Sequence, residues 1–178
     1  MTPKLKTTGV ALVTAACCLT AYLTACRQRS QPDVVALRTA ADSADQTLFG
    51  VLTNLTTTTG VKRGALVSDT AYVLRDATLF AFRVVRVTFV SDSGVPIATL
   101  TADRATLRPS QGVLNLTGNL TLTSPGGRMA HAASGQYSSA TNRITMDSSV
   151  SVGSPAQHSV KALTTDPTFE HLTCTPGC

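Results

Sequence analysis

The residues able to carry chemistry in this chain are few and scattered. Of its five cysteines, Cys17 and Cys18 adjoin, Cys26 follows Leu23-Thr24-Ala25, and Cys174 and Cys178 flank Thr-Pro-Gly at the end. A zinc site needs ligands at short paired spacings. His131, His158 and His171 lie far apart, so no metal is expected. Asp69, Asp103 and Asp166 are candidate carboxylates for acid–base work. They recur at one point of an internal repeat, however, which reads as a strand-edge or turn position instead. No Gly-x-Ser-x-Gly elbow, phosphate-binding loop or HExxH helix occurs, and Ser93-Gly94 and Ser134-Gly135 have the chemistry of hairpins. The chain reads as a non-enzyme without a cofactor.

The elements that carry these residues begin with a segment read as separate from the fold. Lys4 and Lys6 precede an uncharged run of small and apolar residues from Thr7 to Ala25. A basic start followed by an apolar stretch is the pattern of an export signal. Its ending, Leu23-Thr24-Ala25-Cys26, resembles the lipobox of bacterial lipoproteins, in which the cysteine is lipidated after cleavage. An uncleaved membrane-spanning anchor has about the same length, roughly 17–20 residues. Either reading tethers the following domain to a membrane, at the periplasmic face and at the inner membrane before the outer. With Cys26 assigned to lipid, Cys174 and Cys178 remain, either paired across the Pro-Gly turn in an oxidising compartment or free on a frayed tail.

Composition narrows the partners. The formal charge is +5, and two of the fifteen basic residues lie in the first 25, where no acidic residue does. The rest of the chain therefore carries thirteen basic against ten acidic residues, a net +3. Its arginines are spread singly and aromatics are only 4%, so platforms for stacking bases are lacking and nucleic acid is not expected as a partner.

The stretch from Gly60 to Thr123 organises the remainder. Val85, Val87 and Phe89 alternate with Arg86 and Thr88, and Leu114, Leu116, Leu120 and Leu122 alternate with Asn115, Thr117, Asn119 and Thr121. A period of two with β-branched enrichment predicts half-buried strands. Turn clusters at Ser91–Gly94, Pro109–Gly112, Ser124–Gly127, Ser138–Asn142 and Gly153–Pro155 separate strands expected near 65–74, 79–90, 95–107, 113–123, 128–137, 143–152 and 158–165. Connections this short predict an antiparallel meander. Beneath it runs a repeat: Leu66–Ala71 matches Leu100–Ala105 34 residues later, Ala130–Gly135 is a degenerate copy, and Leu163–Asp166 follows.

The ordered pieces resemble a known family. They are Gly60-Val61-Lys62, Ala65–Ala71, Arg86–Phe89 before Gly94, Leu100-Thr101-Ala102, Leu116–Asn119 and Ser124–Gly127. Together they are similar to LptC, the periplasmic component of the lipopolysaccharide-export ABC transporter, and to the domains shared with LptA and the N-terminal part of LptD. The resemblance implies an all-β, open, twisted, V-shaped antiparallel β-jellyroll over residues 48–169. It would follow a signal or anchor (1–25) and a tether (26–47), and precede a tail (170–178). It further implies a domain that receives lipopolysaccharide from inner-membrane ABC transporter subunits and passes it along a bridge of LptA-like proteins. The implied lipid-binding groove comprises Val85, Val87, Phe89, Leu100, Leu114, Leu116, Leu120, Leu122, Ile144 and Met146. An aliphatic interior of this kind suits acyl chains, each buried methylene contributing ~0.8 kcal/mol. It equally suits the closed core of a structural β-repeat lipoprotein that binds no lipid. An open sheet must use or blunt its edges. The final strand near Ser159–Thr165, stopped by Pro167, is expected to take a partner strand.

Overall fold

The computed structural model describes residues 40, 43–75, 77–153 and 157–175, all within one compact unit spanning Ala36–Cys178. The expected signal or anchor, Cys26, Cys178 and most of the tether lie outside these residues. Among the described residues no helix is long and apolar enough to cross a membrane.

Among the described residues nine strands form a single sheet: Gln46–Thr56 (β1), Lys62–Leu74 (β2), Leu79–Val90 (β3), Pro96–Arg108 (β4), Val113–Thr123 (β5), Met129–Ser138 (β6), Arg143–Gly153 (β7), Gln157–Thr165 (β8) and Thr173–Thr175 (β9). They lie in chain order, each antiparallel to the next, so the open antiparallel architecture expected from the sequence is the one found, as an unbroken meander. The alternating pattern sets the strands, and recurring turn chemistry sets their ends. Gly60, Gly94 and Gly127 each donate a backbone N–H to the residue three before, at 3.0, 2.9 and 3.0 Å. At Gly94 the backbone adopts φ 82°, which a residue without Cβ tolerates best.

Each of the first eight strands breaks its period of two once. Inward residues step by three at Leu48/Val51, Ser68/Ala71, Phe82/Val85, Ala102/Ala105, Ala132/Gly135 and Val160/Leu163, and by four at Leu116/Leu120 and Met146/Val150. These steps form one line across the sheet, because the pairing passes directly from Phe49↔Thr70 to Thr70↔Arg83 and Arg83↔Arg104. Positive φ marks the odd-numbered strands at the line: Gly50 (61°), Val84 (52°), Gly118 (79°), Asn119 (47°) and Ser148 (70°). Bulges of this type bend strands and increase their twist, and here they double the sheet over. The aromatic rings of Phe89 on β3 and Tyr137 on β6 meet edge to face with centroids 4.8 Å apart. In a flat sheet, strands three positions apart would stand about 14 Å from one another.

The sequence repeat is the imprint of this line. Asp69 and Asp103 sit on it, in the middle of β2 and β4 rather than at strand edges or turns, and Ala133 holds the equivalent place on β6. Asp166 does not; it lies beyond β8 in the following turn. The predicted strands are recovered to within three residues at each end, while β1 starts earlier than the sequence suggested. The segment read as a tail supplies β9, which pairs with Ala162–Thr164. That pairing covers part of the β8 edge expected to accept a partner strand and leaves its N-terminal part uncovered by any described strand.

Candidate lipid-binding site

The ten residues expected to line a groove all face the interior: Val85 is 3% exposed and Val87, Phe89, Leu100, Leu114, Leu116, Leu120, Leu122, Ile144 and Met146 are fully buried. Their strand neighbours Arg86, Thr88, Asn115 and Thr121 lie on the other face, more exposed than the residues they separate. The interior they form is packed rather than hollow. Gly135, opposite Leu116, shows how tightly: an added Cβ would stand 2.7 Å from Leu120 Cδ2 and 2.6 Å from the Thr145 carbonyl oxygen.

Open space lies elsewhere. A cavity of about 360 Å³ runs beneath the edge strand β1, a size within the range of small-molecule sites. Leu48, Val51 and Leu55 of β1 form one wall, and Phe80, Phe82, Leu107, Leu114 and Tyr137 contribute to the rest. Of the ten expected residues, only Leu114 reaches it. Phe80 and Phe82 stack at 6.3 Å between centroids. Three of the chain's eight aromatic residues, Phe80, Phe82 and Tyr137, therefore line this cavity. The β character legible from Leu48 onward is β1, whose inward residues Leu48, Val51, Thr53 and Leu55 step by three across Gly50.

Besides Thr53, Asn54 and Thr56 of β1, the cavity meets polar groups at the end of the sheet formed by the β4–β5 and β6–β7 turns. Ser139, just past β6, donates its backbone N–H to the Gly112 carbonyl at 2.9 Å. Tyr137 donates its hydroxyl to Asn142 Oδ1 at 3.2 Å. Burial pushes the Tyr137 phenol up to about 12, against a smaller opposing influence from the Arg63 guanidinium. The Ser139 hydroxyl is buried and has no hydrogen-bond partner among the described residues.

The other residues with chemical potential do not converge on the cavity. His131 bonds the Thr121 hydroxyl at 2.9 Å across β5 and β6. Asp166 holds the C-terminal turn, accepting from His171 Nδ1 (2.6 Å), the Glu170 backbone N–H (2.9 Å) and the Thr168 hydroxyl (3.1 Å). Burial pushes the Asp166 carboxyl up, but these hydrogen bonds outweigh it and hold it below the usual carboxylate range. Asp166, Glu170 and His171 lie close enough to one another to suggest a cation site, yet two of the three are exposed. Cys174 is disulfide-bonded, and its partner lies outside the described residues.

Taken together, fold and site define a class: an open antiparallel β-domain, doubled over an aliphatic interior, with an apolar cavity under one edge strand. No family model and no curated protein matches the chain. Among solved structures it is similar to the crystal structure of LptH, the LptA homologous periplasmic component of the conserved lipopolysaccharide transport device from Pseudomonas aeruginosa. The identity is 17% and the TM-score 0.46, over 61% of this chain and 78% of that one.

Proposed function

We propose that this chain is a lipid-carrying component of lipopolysaccharide export, holding acyl chains in the cavity beneath β1. In this reading it is tethered at the periplasmic face of the inner membrane through Cys26 or an uncleaved anchor. It receives lipopolysaccharide from ABC transporter subunits and passes it to an LptA-like bridge protein. The observation that carries the reading is the cavity itself: a largely apolar space of about 360 Å³ beneath the edge strand, beside an interior packed around Leu116, Leu120 and Gly135. The ordered motifs from Gly60 to Gly127 supply the identity of the lipid and of the partners. Both sheet edges offer docking strands, β1 along its outer side and β8 along its N-terminal part.

One observation favours a second reading. Nine of the ten expected groove residues are filled in by one another rather than by open space, as suits a structural β-repeat lipoprotein. Affinity purification from cells separates the two. Lipopolysaccharide should co-purify with the full chain, and be lost when Leu107→Asp places a carboxylate in the cavity wall. Purification without lipid, from cells that make it, would favour the structural protein.

A further inference from the structure

The outer face of the sheet at its β1 end combines exposed apolar side chains with unneutralised positive charge. Edge strands are commonly blunted by charge or proline, yet β1 has neither and presents Phe49 at 78% and Leu52 at 68% exposure. The pairing continues both residues across the sheet. Leu52, Val67 and Arg86 are successive partners on β1 to β3, as are Phe49, Thr70, Arg83 and, on β4, Arg104. Four strands at the usual spacing hold these side chains within about 14 Å. Val67 and Val84 add exposed apolar surface among them. Phe49, Arg83, Val84 and Arg104 also lie on the bend line, so they stand on the outer crest of the doubled sheet.

These charges are not balanced locally. Among the described residues none of Arg83, Arg86 and Arg104 forms an ion pair with a carboxylate. Arg83 and Arg104 stand directly opposite one another, an arrangement of like charges that costs stability. The carboxylates of β1 to β4 are Asp69 and Asp103, and Asp103 is taken by the Asn119 amide at 2.8 Å. Both are short, whereas arginine stems carry their charge farther from the sheet. A second copy is a poor occupant, because a two-fold interface would set these arginines against their own copies. A bilayer suits both features, with anionic headgroups for the guanidiniums and an apolar boundary beneath them for protruding rings and aliphatic groups.

We propose that this face docks on an anionic membrane surface, with Phe49 and Leu52 entering the headgroup layer and Arg83, Arg86 and Arg104 facing lipid phosphates. The proposal rests on the membrane-tethered part of the reading above, in which the segment 26–45 leads from the bilayer directly to β1.

The chain has no tryptophan, so Phe49→Trp supplies a single fluorophore on the crest. The full chain carrying it is reconstituted into vesicles of phosphatidylcholine, alone or mixed with phosphatidylglycerol, each containing bromine-labelled acyl chains. Emission from position 49 should shift to the blue and be quenched on the anionic vesicles, and far less on the neutral ones. Ser159→Trp, exposed on β8 away from this face, should report water on both. Arg83→Gln or Arg86→Gln, added to Phe49→Trp, should each lower the ratio of docked to undocked chain about fivefold, the worth of one basic residue at an anionic surface. If the chain floats with the vesicles while position 49 stays in water, the proposal is overturned and the tethered reading stands. Quenching that is equal on the two vesicle types, or that survives both arginine substitutions, overturns it as well. A chain that floats with neither vesicle overturns both. A crosslinking residue at Phe49 in cells decides the matter without the arginine variants: it should capture phospholipid, and capture of a protein or a second copy in its place overturns the proposal.

Discussion

Two regions of one interior, built from the same alternating strands, end in different states. Around Leu116, Leu120 and Leu122, inward side chains meet across the doubled sheet and leave no room even for a Cβ on Gly135. Beneath β1 the facing groups are too small or too peripheral to fill the space. Thr53 and Val51 extend only a short way from an edge strand, Ala71 opposes Leu48, and Gly112 and Ser139 close the end. The difference teaches that an open sheet of this design is not a groove along its whole length. Side-chain volume decides where the interior closes, and the closed part holds the open part in shape.

Cavity-forming substitutions should expose that contrast most strongly. Leu116→Ala removes a fully buried side chain from the packed region and should lower stability by about 2–5 kcal/mol in urea unfolding. Leu48→Ala enlarges a space that is already open and should cost less than about 1 kcal/mol. Similar losses at the two positions would mean that the interior is uniformly packed.

Alkaline titration reaches the boundary between the two regions. The Tyr137 phenol is raised in the folded protein to about 12, above its ordinary value of about 10. Stability from keeping it neutral is complete below pH 10 and lost as pH rises toward 12. The loss amounts to about 2–3 kcal/mol from the two-unit shift. Tyr137→Phe should flatten this dependence between pH 10 and 12, as followed by thermal melts. An unchanged alkaline slope in Tyr137→Phe would place the titrating group elsewhere.

Smaller effects should come from the bend and the C-terminal turn. Val84 is β-branched, 60% exposed and held at φ 52°, a conformation costing on the order of 1–3 kcal/mol. Val84→Gly should therefore raise stability by about 1 kcal/mol, because glycine's greater loss of freedom offsets part of the gain. A clear loss of stability in that variant would mean that Val84 is not strained. Asp166, with its carboxyl held below the usual range, contributes stability that is present above its unfolded pKa and lost as pH falls through its folded one. Protection factors of the β9 amides, corrected for the intrinsic pH dependence of exchange, should fall in acid in the unmodified chain and be insensitive to acid in Asp166→Asn. Equal acid sensitivity in both would remove Asp166 from control of the turn.

Much of the fold could be read from the residues because strand and turn chemistry is local. Val85–Phe89 and Leu114–Leu122 declare their inward faces by alternation alone, and Ser91–Gly94 and Ser124–Gly127 declare their turns. The bend line was visible only as a repeat, since a one-residue break in period shifts side chains to the other face without changing composition. The same break left β1 legible as β character from Leu48 onward but not its inward face: Gly50 puts Leu48 and Val51 on one side three residues apart, which alternation does not predict. The position of the cavity was not legible, because it depends on which inward residues fail to meet across the doubled sheet. Residues close in sequence carry no record of that.

The central claim, that lipid occupies the space beneath β1 rather than the packed interior, is tested most directly by site-specific photo-crosslinking in cells. A crosslinking residue at Leu107, in the cavity wall, should capture lipopolysaccharide. One at Phe49, 78% exposed on the opposite face of β1, should not. Capture from Phe49 and Leu107 alike, or from neither in a chain that keeps its strands by circular dichroism, would contradict the account.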